Sequence, residues 1–203
     1  MIAIIDYGVG NLFSLKSSLS MIGAEAVVTG DPQVIQEADR LLLPGVGAFE
    51  DARRKLAQNG LDTLLCEEAE RGKPVMGICL GMQMLFDRSF EYGEHRGLGL
   101  IRGDVVPMAD KLPAGLKVPH IGWNALDVKR ADHPLMKRVK PGDCVYFVHS
   151  YYASGCDEAV IATSEYGIDL TAAVAKRNVM GCQFHPEKSG EVGLNILRAF
   201  CEG

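Results

Sequence analysis

A cysteine stands between two glycines in the stretch Gly77–Gly81, where a predicted strand meets a predicted helix. The apolar run Pro74–Ile78 predicts a buried strand, and the segment Leu80–Arg88 has the character of a helix. The flanking glycines let the chain turn sharply, so that the side chain of Cys79 stands clear of the backbone. Amides at the start of the following helix would point at the sulfur and favour the thiolate. The pattern therefore predicts a strand–turn–helix elbow that carries a nucleophile, which is typical of α/β folds.

A second motif, Gln183-Phe184-His185-Pro186-Glu187, follows a predicted strand a hundred residues downstream. A histidine at a strand end, with a carboxylate two residues on, suits a general base and the group that orients it. His185 would accept the thiol proton of Cys79 and later protonate the leaving group, while Glu187 would hold the other ring nitrogen. The competing interpretation is a surface turn with a solvated histidine and glutamate, and the elbow makes it the weaker one.

Strands alternate with helices in the first half of the chain, and strands dominate the second half. The predicted strands are Ile2–Asp6, Ala26–Thr29, Arg40–Leu43, Lys73–Ile78, Asp143–Tyr152, Ala159–Ser164, Leu170–Ala175 and Val179–Gln183. The predicted helices are Leu12–Ile22, Gly47–Gln58, Leu61–Arg71, Leu80–Arg88 and Ser189–Cys201, the last with Ser189 as its N-cap. This order predicts an α/β fold with a mostly parallel central sheet, helices on both of its faces and a smaller β-rich second half. Residues 1–203 are expected to form one domain.

Composition and charge argue against several classes of function. The 203 residues are 47% hydrophobic and carry a net charge of −5 without a basic block, so neither nucleic acid nor a membrane surface is an expected partner. No apolar run is long enough to span a bilayer, and the N-terminus lacks the features of a signal peptide. None of the six cysteines has C-x-x-C spacing, so no metal site is predicted. A cytoplasmic enzyme with reduced thiols is expected.

Glycine-rich loops follow two of the other predicted strands. In G-x-nucleophile-x-G enzymes, the oxyanion hole combines the amide after the nucleophile with one from a glycine-rich loop after the third strand. Here those groups are the amide of Leu80 and the amides of Val46 and Gly47. Two such donors facing a developing oxyanion are worth several kcal/mol of the reaction barrier.

The first loop offers a different possibility, a dinucleotide site at Gly8-x-Gly10. The fingerprint fails because its third glycine position holds Phe13 and no acidic residue ends the second strand.

The loops Tyr7–Asn11 and His120–Asn124 carry apolar and aromatic groups, including the only tryptophan, that suit a protein interface. The interface residues predicted from these loops are Tyr7, Asn11, Trp123 and Asn124.

The motifs resemble those of class I (triad) glutamine amidotransferases and, more closely, of the glutaminase subunits of imidazole glycerol phosphate synthases. The matching stretches, in the order of the family, are DYGVGN at 6–11, LPGVGAF at 43–49, GICLGMQ at 77–83, HIGWN at 120–124, YFVHSYY at 146–152 and GCQFHPEKSG at 181–190. They cover nearly the whole chain, and no catalytic position departs from the family pattern.

The resemblance implies a reaction and a partner. Cys79 would attack the side-chain amide of glutamine and form a thioester, with Gln83, Ser150 and Tyr151 holding the substrate. Ammonia would pass to a separate cyclase subunit, a (β/α)8 barrel, in a heterodimer. There it would help make imidazole glycerol phosphate and an aminoimidazole carboxamide ribotide for histidine biosynthesis. The resemblance implies no cofactor and no metal.

Two other function classes stay open from the residues alone. One is a cysteine hydrolase that shares the elbow, such as a peptidase or a γ-glutamyl hydrolase. The other is a non-catalytic binding subunit, against which the complete set Cys79, His185 and Glu187 argues.

Overall fold

The computed structural model describes every residue from Met1 to Gly203. In chain order, the strands are β1 (Ile2–Ile5), β2 (Ala26–Thr29), β3 (Arg40–Gly45), β4 (Val75–Cys79), β5 (Arg88–Ser89), β6 (His95–Arg96), β7 (Asp104–Pro107), β8 (His120–Ala125), β9 (Asp127–Val128), β10 (Cys144–His149), β11 (Tyr151–Ser154), β12 (Val160–Glu165), β13 (Asp169–Lys176) and β14 (Val179–Cys182). The helices are α1 (Leu12–Met21), α2 (Pro32–Glu37), α3 (Phe49–Gln58), α4 (Leu61–Glu70), α5 (Leu80–Met84) and α6 (Gly190–Glu202). None of these helices combines the length and the apolar character that crossing a membrane requires.

The main sheet brings the two motifs together. Its strands run in the order β2–β1–β3–β4–β14–β13–β12–β9. The first five strands are parallel to one another, and the last three pair in antiparallel fashion. Because β14 lies beside β4 in parallel, with Cys182 opposite Ile78, the segment after β14 emerges next to the elbow. This edge, at the carboxyl ends of the parallel strands, is where open α/β sheets bind ligands.

Helices cover both faces of the main sheet because successive side chains of a strand point to opposite sides. In β1, Ala3 and Ile5 join the core that contains residues of α2, α3, α4 and α5. Ile2 and Ile4 join the other core, which contains residues of α1 and α6. All four side chains are at most 5% exposed. The predicted fold class, a mostly parallel sheet between helices with a β-rich second half, is confirmed.

One difference from prediction in the second half is that the strand predicted over Asp143–Tyr152 is two strands. β10 pairs with β8, with His149 opposite His120, and β11 pairs with β7 in a separate four-stranded sheet. The chain changes partner between these ladders, which leaves Ser150 outside both. Since the apolar pattern continues through this break, the sequence alone does not reveal it.

The helix that follows the nucleophile is shorter than predicted. It ends at Met84 instead of Arg88, and the chain then enters β5. The carbonyls of Met84, Leu85 and Phe86 accept hydrogen bonds from backbone N–H groups of residues 98–101, at 2.8–3.1 Å. A later loop therefore occupies the acceptors that a longer helix would use for itself.

Ser189 does not cap α6 through its side chain, which corrects the predicted role. Its hydroxyl accepts a hydrogen bond from the Tyr146 N–H at 2.9 Å and donates one to the His185 carbonyl at 2.6 Å. The His185 N–H in turn donates to the Tyr146 carbonyl at 3.0 Å. Ser189 therefore fastens the segment that carries His185 to β10.

Candidate active site

The elbow holds Cys79 in a backbone conformation that residues other than glycine rarely adopt. Its φ is 54° and its ψ is −113°, at the junction of β4 and α5. A Cβ at position 77 would lie 2.5 Å from the carbonyl oxygen of Gly81, and one at position 81 would lie 1.8 Å from that of Leu43. The close approach of three backbone segments therefore requires both glycines of the motif, and it presents the cysteine side chain at the end of the strand.

His185 and Glu187 form a buried pair beside Cys79. The Nδ1 of His185 lies 2.8 Å from Oε1 of Glu187, and both side chains are 3% exposed. A carboxylate oxygen accepts, so Nδ1 carries a proton and Nε2 is left for Cys79. Burial opposes charging of the ring, but hydrogen bonds to Cys79 and Glu187 outweigh it and raise the pKa of His185 to about 9. At neutral pH this ring is protonated, which makes it an acid for a leaving group and a counter-ion for a thiolate.

The predicted residues meet at one cavity of about 350 Å³, within the usual size range of small-molecule sites. Eight of them line it, namely Val46, Gly47, Cys79, Leu80, Gln83, Ser150, Tyr151 and His185. A larger cavity of about 560 Å³ lies elsewhere, between Arg102, Arg130 and Arg177, and no histidine lines it. We assign the reaction to the smaller cavity because only there do a thiol and an imidazole face one another.

The glycine-rich loop after β3 lies directly against the elbow. Gly45 pairs with Cys79 across the two strands, and a Cβ on Gly45 would meet the Gly81 nitrogen at 2.8 Å. Val46, Gly47 and Leu80, the three predicted oxyanion residues, all line the cavity that contains the thiol.

Two glutamines lie close to the thiol: Gln83 lines the cavity, and Gln183 is buried beside it. The side-chain Nε2 of Gln83 donates to the Tyr151 carbonyl at 3.0 Å and to Oε1 of Gln183 at 2.9 Å. The Nε2 of Gln183 lies 3.7 Å from the sulfur of Cys79. The sequence motif QFHPE contained Gln183, but nothing in its pattern distinguished this side chain from an ordinary strand residue.

A carboxylate and an ammonium group complete the cavity, and sequence reasoning missed both. Glu91 lines it and accepts a hydrogen bond from the backbone N–H of Phe49, the first residue of α3. Lys188, which follows Glu187, lines it as well. Their charges are complementary to the α-ammonium and α-carboxylate groups of a free amino acid.

His149 and His120 form a second buried pair behind Ser150. The His120 Nδ1 lies 3.1 Å from the His149 Nε2, and the His149 Nδ1 lies 2.9 Å from the Tyr151 carbonyl. Burial lowers the pKa of His149 to about 4 despite the hydrogen bond to Tyr151, so the ring is neutral. A neutral, doubly hydrogen-bonded ring is a support for the Tyr151 segment and a poor general base at neutral pH.

The four predicted interface residues occupy different environments. Trp123 is 57% exposed, whereas Asn11 and Asn124 are half-buried. Tyr7 is 5% exposed, and its hydroxyl donates to the Pro44 carbonyl at 2.7 Å. Tyr7 is therefore too buried to contact a partner directly, and its hydroxyl is hydrogen-bonded to the loop that precedes Val46. Tyr7 can act on a partner surface only through that loop.

No three histidine, cysteine, aspartate or glutamate side chains converge in a way that would hold a metal ion. The polar side chains that line the cavity include those of Cys79, Gln83, Glu91, His185 and Lys188. These groups can carry out acyl chemistry on a small polar substrate.

Comparison with known proteins finds relatives with the same α/β fold and identifies the family to which the chain is similar. The family model "Glutamine amidotransferase class-I" matches residues 3–202. The subunit HisH of imidazole glycerol phosphate synthase from Caldanaerobacter subterraneus subsp. tengcongensis is 51% identical over 100% of this chain and 98% of its own length. The HisH subunit from Bacillus licheniformis is 52% identical over 98% of this chain and 95% of its own length. A solved glutamine amidotransferase structure superposes with a TM-score of 0.77 at 20% identity, covering 100% of this chain and 98% of the other.

Proposed function

The chain belongs to the class-I glutamine amidotransferases and, within them, to the family of HisH subunits of imidazole glycerol phosphate synthase, and from this premise we propose that it hydrolyses the side-chain amide of glutamine to glutamate and ammonia. The observation that carries the mechanism is that Cys79 and His185 line one cavity while the buried Glu187 carboxylate pairs with the His185 ring. An elbow thiol beside a charged, oriented imidazole is suited to nucleophilic attack on an amide.

The first half of the reaction forms an acyl-enzyme. The thiolate of Cys79 attacks the amide carbon, and the carbonyl electron pair moves onto oxygen, which faces the amides of Leu80 and of the Val46–Gly47 segment. When the tetrahedral intermediate collapses, the C–N bond breaks and the His185 Nε2 gives its proton to the departing nitrogen. Ammonia leaves, and a γ-glutamyl thioester remains on Cys79.

The second half releases glutamate. Neutral His185 accepts a proton from water as the water oxygen attacks the thioester carbon, and a second oxyanion forms in the same place. Collapse of this intermediate breaks the C–S bond, which returns the thiolate of Cys79 and the protonated ring of His185. Glu187 keeps Nδ1 protonated throughout, because its carboxylate accepts from that position.

Substrate recognition is proposed to use both charged groups of the cavity. Glu91 would attract the α-ammonium group of glutamine and Lys188 its α-carboxylate, since each lines the cavity. Ser150 lies outside the strand ladders, and its carbonyl accepts from the Met108 N–H at 3.1 Å. Its N–H and its hydroxyl are therefore the groups proposed to bind the substrate alongside Tyr151. Gln83 has both N–H groups engaged and offers only its side-chain oxygen.

We further propose that ammonia passes to a cyclase subunit in a heterodimer, for the synthesis of imidazole glycerol phosphate. An aromatic surface continuous with the cavity mouth supports this partner. The exposed ring of Trp123 packs edge-on against Tyr146 at 6.1 Å, and the Lys188 ammonium lies 5.9 Å over the Tyr146 ring. Asn11 and Asn124 are the other proposed contacts with this partner. We also propose that the chain forms one glutaminase domain and that it acts in the cytoplasm.

Replacement of the nucleophile tests the proposed reaction. Cys79→Ala is expected to abolish glutamate release from glutamine, while ammonia supplied in solution still supports cyclisation by the partner. A glutamine-derived diazo-ketone should label Cys79 in the unaltered chain. Cys144→Ala is the matched control, because that cysteine is exposed and remote from the cavity. Glutamine hydrolysis that survives in Cys79→Ala, or labelling of Cys182 instead, would overturn the assignment.

A further inference from the structure

Gln183 is a buried amide that touches the proposed nucleophile. Its side chain is 0% exposed, and its Nε2 lies 3.7 Å from the sulfur of Cys79. The backbone around it is fixed, because its N–H donates to the Ala172 carbonyl at 2.8 Å. The side chain therefore approaches the sulfur from the residue directly after β14, whose backbone is held by this hydrogen bond.

One backbone carbonyl determines which way the two glutamine amides point. The Tyr151 carbonyl can only accept, so the Gln83 atom 3.0 Å away must be its nitrogen. The same nitrogen donates its other hydrogen to Gln183, and the atom that accepts it at 2.9 Å must be Oε1. The remaining end of the Gln183 amide, which faces Cys79, is therefore the N–H end.

A thiolate at this position needs donors. The neutral thiol lies 4.0 Å from the carbonyl oxygen of Val148, to which it can donate. After deprotonation the sulfur can only accept, and that carbonyl no longer helps it. His185 and Gln183 are then its polar partners, and Gln183, unlike His185, keeps its hydrogens through the whole reaction.

We propose that Gln183 is a catalytic residue that stabilises and orients the thiolate of Cys79 by donating a hydrogen bond to its sulfur, and that Gln83 is a positioning residue that holds the Gln183 amide in the donating orientation. The proposal rests on the proposed role of Cys79 as nucleophile. The hydrogen bond favours the thiolate as attacking group in the first half of the reaction and as leaving group in the second.

The test measures alkylation of Cys79 by iodoacetamide as a function of pH, without glutamine, by mass spectrometry of the peptide that contains it. Gln183→Met keeps the length of the side chain and removes the donor. We expect the midpoint of the alkylation profile to move upward by about one to two pH units, which lowers the thiolate fraction roughly 10- to 100-fold at pH values below both midpoints. The rate of glutamine hydrolysis should fall by a similar factor.

Gln83→Met provides an independent measurement on the same chain. It leaves Gln183 in place but frees its amide to rotate, so a smaller upward shift is expected. The double variant should shift no further than Gln183→Met alone, because the two side chains act in series. Absence of glutamine from the assay separates this effect from any contact of Gln83 with the substrate.

Cys182→Ala is the matched control, since this neighbour in β14 is equally buried and its thiol donates only to the Phe184 carbonyl. Its alkylation midpoint should equal that of the unaltered chain. An unchanged midpoint in a folded Gln183→Met, or an equal shift in Cys182→Ala, would overturn the proposal. If Cys79 is unreactive even in the unaltered chain, the proposed glutaminase mechanism fails as well, so the two failures are distinguishable.

Discussion

Removal of the charge on Glu187 tests how much this carboxylate raises the pKa of the His185 imidazole. Glu187→Gln is nearly isosteric, and its side-chain oxygen can still accept from Nδ1 of His185. The second carboxylate oxygen, Oε2, is buried and makes no hydrogen bond with the protein, so an amide nitrogen in its place breaks no contact. The substitution therefore removes charge from the pair with little change in its geometry.

The magnitude follows from the pKa of His185, which is raised from 6.5 to about 9 against the opposing effect of burial. A hydrogen bond to a charged group contributes about 1.5–3 kcal/mol, and one pKa unit corresponds to about 1.4 kcal/mol. Loss of the carboxylate charge should therefore lower the pKa of His185 by about one to two units. The rate of glutamine hydrolysis should fall roughly 10- to 100-fold, less than in His185→Ala.

Steady-state glutamate release between pH 6 and about 10 measures both quantities, because the profile of kcat/KM reports groups of the free enzyme. The protonated ring is the acid for ammonia release, so the rate should decline above the pKa of His185, and this decline should begin at lower pH in Glu187→Gln. Glu191→Gln is the control, because it removes the same charge from an exposed side chain paired with Arg198. If the decline at alkaline pH is not shifted and the activity is undiminished, the site works as a dyad of Cys79 and His185. Total loss equal to that of His185→Ala in a folded protein would give Glu187 a different role.

Two further predictions concern the partner and the elbow. The complex with the cyclase subunit and its nucleotide ligand should hydrolyse glutamine at least ~100-fold faster than the chain alone, an acceleration that needs about 2.7 kcal/mol from one recovered oxyanion donor. Trp123→Ala, at a 57% exposed position, should weaken complex formation measured by calorimetry and reduce this acceleration. Equal rates with and without the liganded partner would refute the coupling. Gly81→Ala should lower the free energy of unfolding by more than about 2 kcal/mol, because its Cβ would lie 1.8 Å from the Leu43 carbonyl oxygen. Gly203→Ala is the control, because a Cβ there would make only ordinary contacts, at 3.4 Å and 3.8 Å. Equal denaturant midpoints for the two variants would contradict the packing argument.

The sequence predicted the parallel half of the sheet well, because its strands are short apolar runs bounded by glycine, proline or polar residues. It missed α2, a helix of six residues with one buried side chain, Ile35. The local signal was present in Asp31, which accepts from the Gln33 N–H, and in a proline at the first helical position. A helix this short has too little apolar periodicity for pattern analysis to detect.

Within the site, the structure brings Cys79 and the His185–Glu187 pair together. Local sequence patterns point to these residues because one segment supplies both the geometry and the chemistry of each group. Sequence reasoning missed Glu91 and Lys188, whose positions depend on the return of β5 and on the short turn after His185. It also assigned no role to Gln183, because the contact with Cys79 exists only once β14 has paired with β4. Contacts between residues a hundred positions apart follow from strand order, which local patterns do not contain.

The loop after β3, which we propose supplies an oxyanion donor, has two glycines in different environments. A Cβ on Gly45 would meet the Gly81 nitrogen at 2.8 Å and the Tyr7 hydroxyl at 3.0 Å, so this residue is held tightly. Gly47 has a φ of +91° and nothing within 4 Å of the same position. Rotation of a peptide in this loop is therefore expected around Val46 and Gly47, beyond the part that Tyr7 fixes through Pro44. Because Val46 is 43% exposed beside the cavity, a partner that packs on it can select the orientation in which an amide faces the oxyanion.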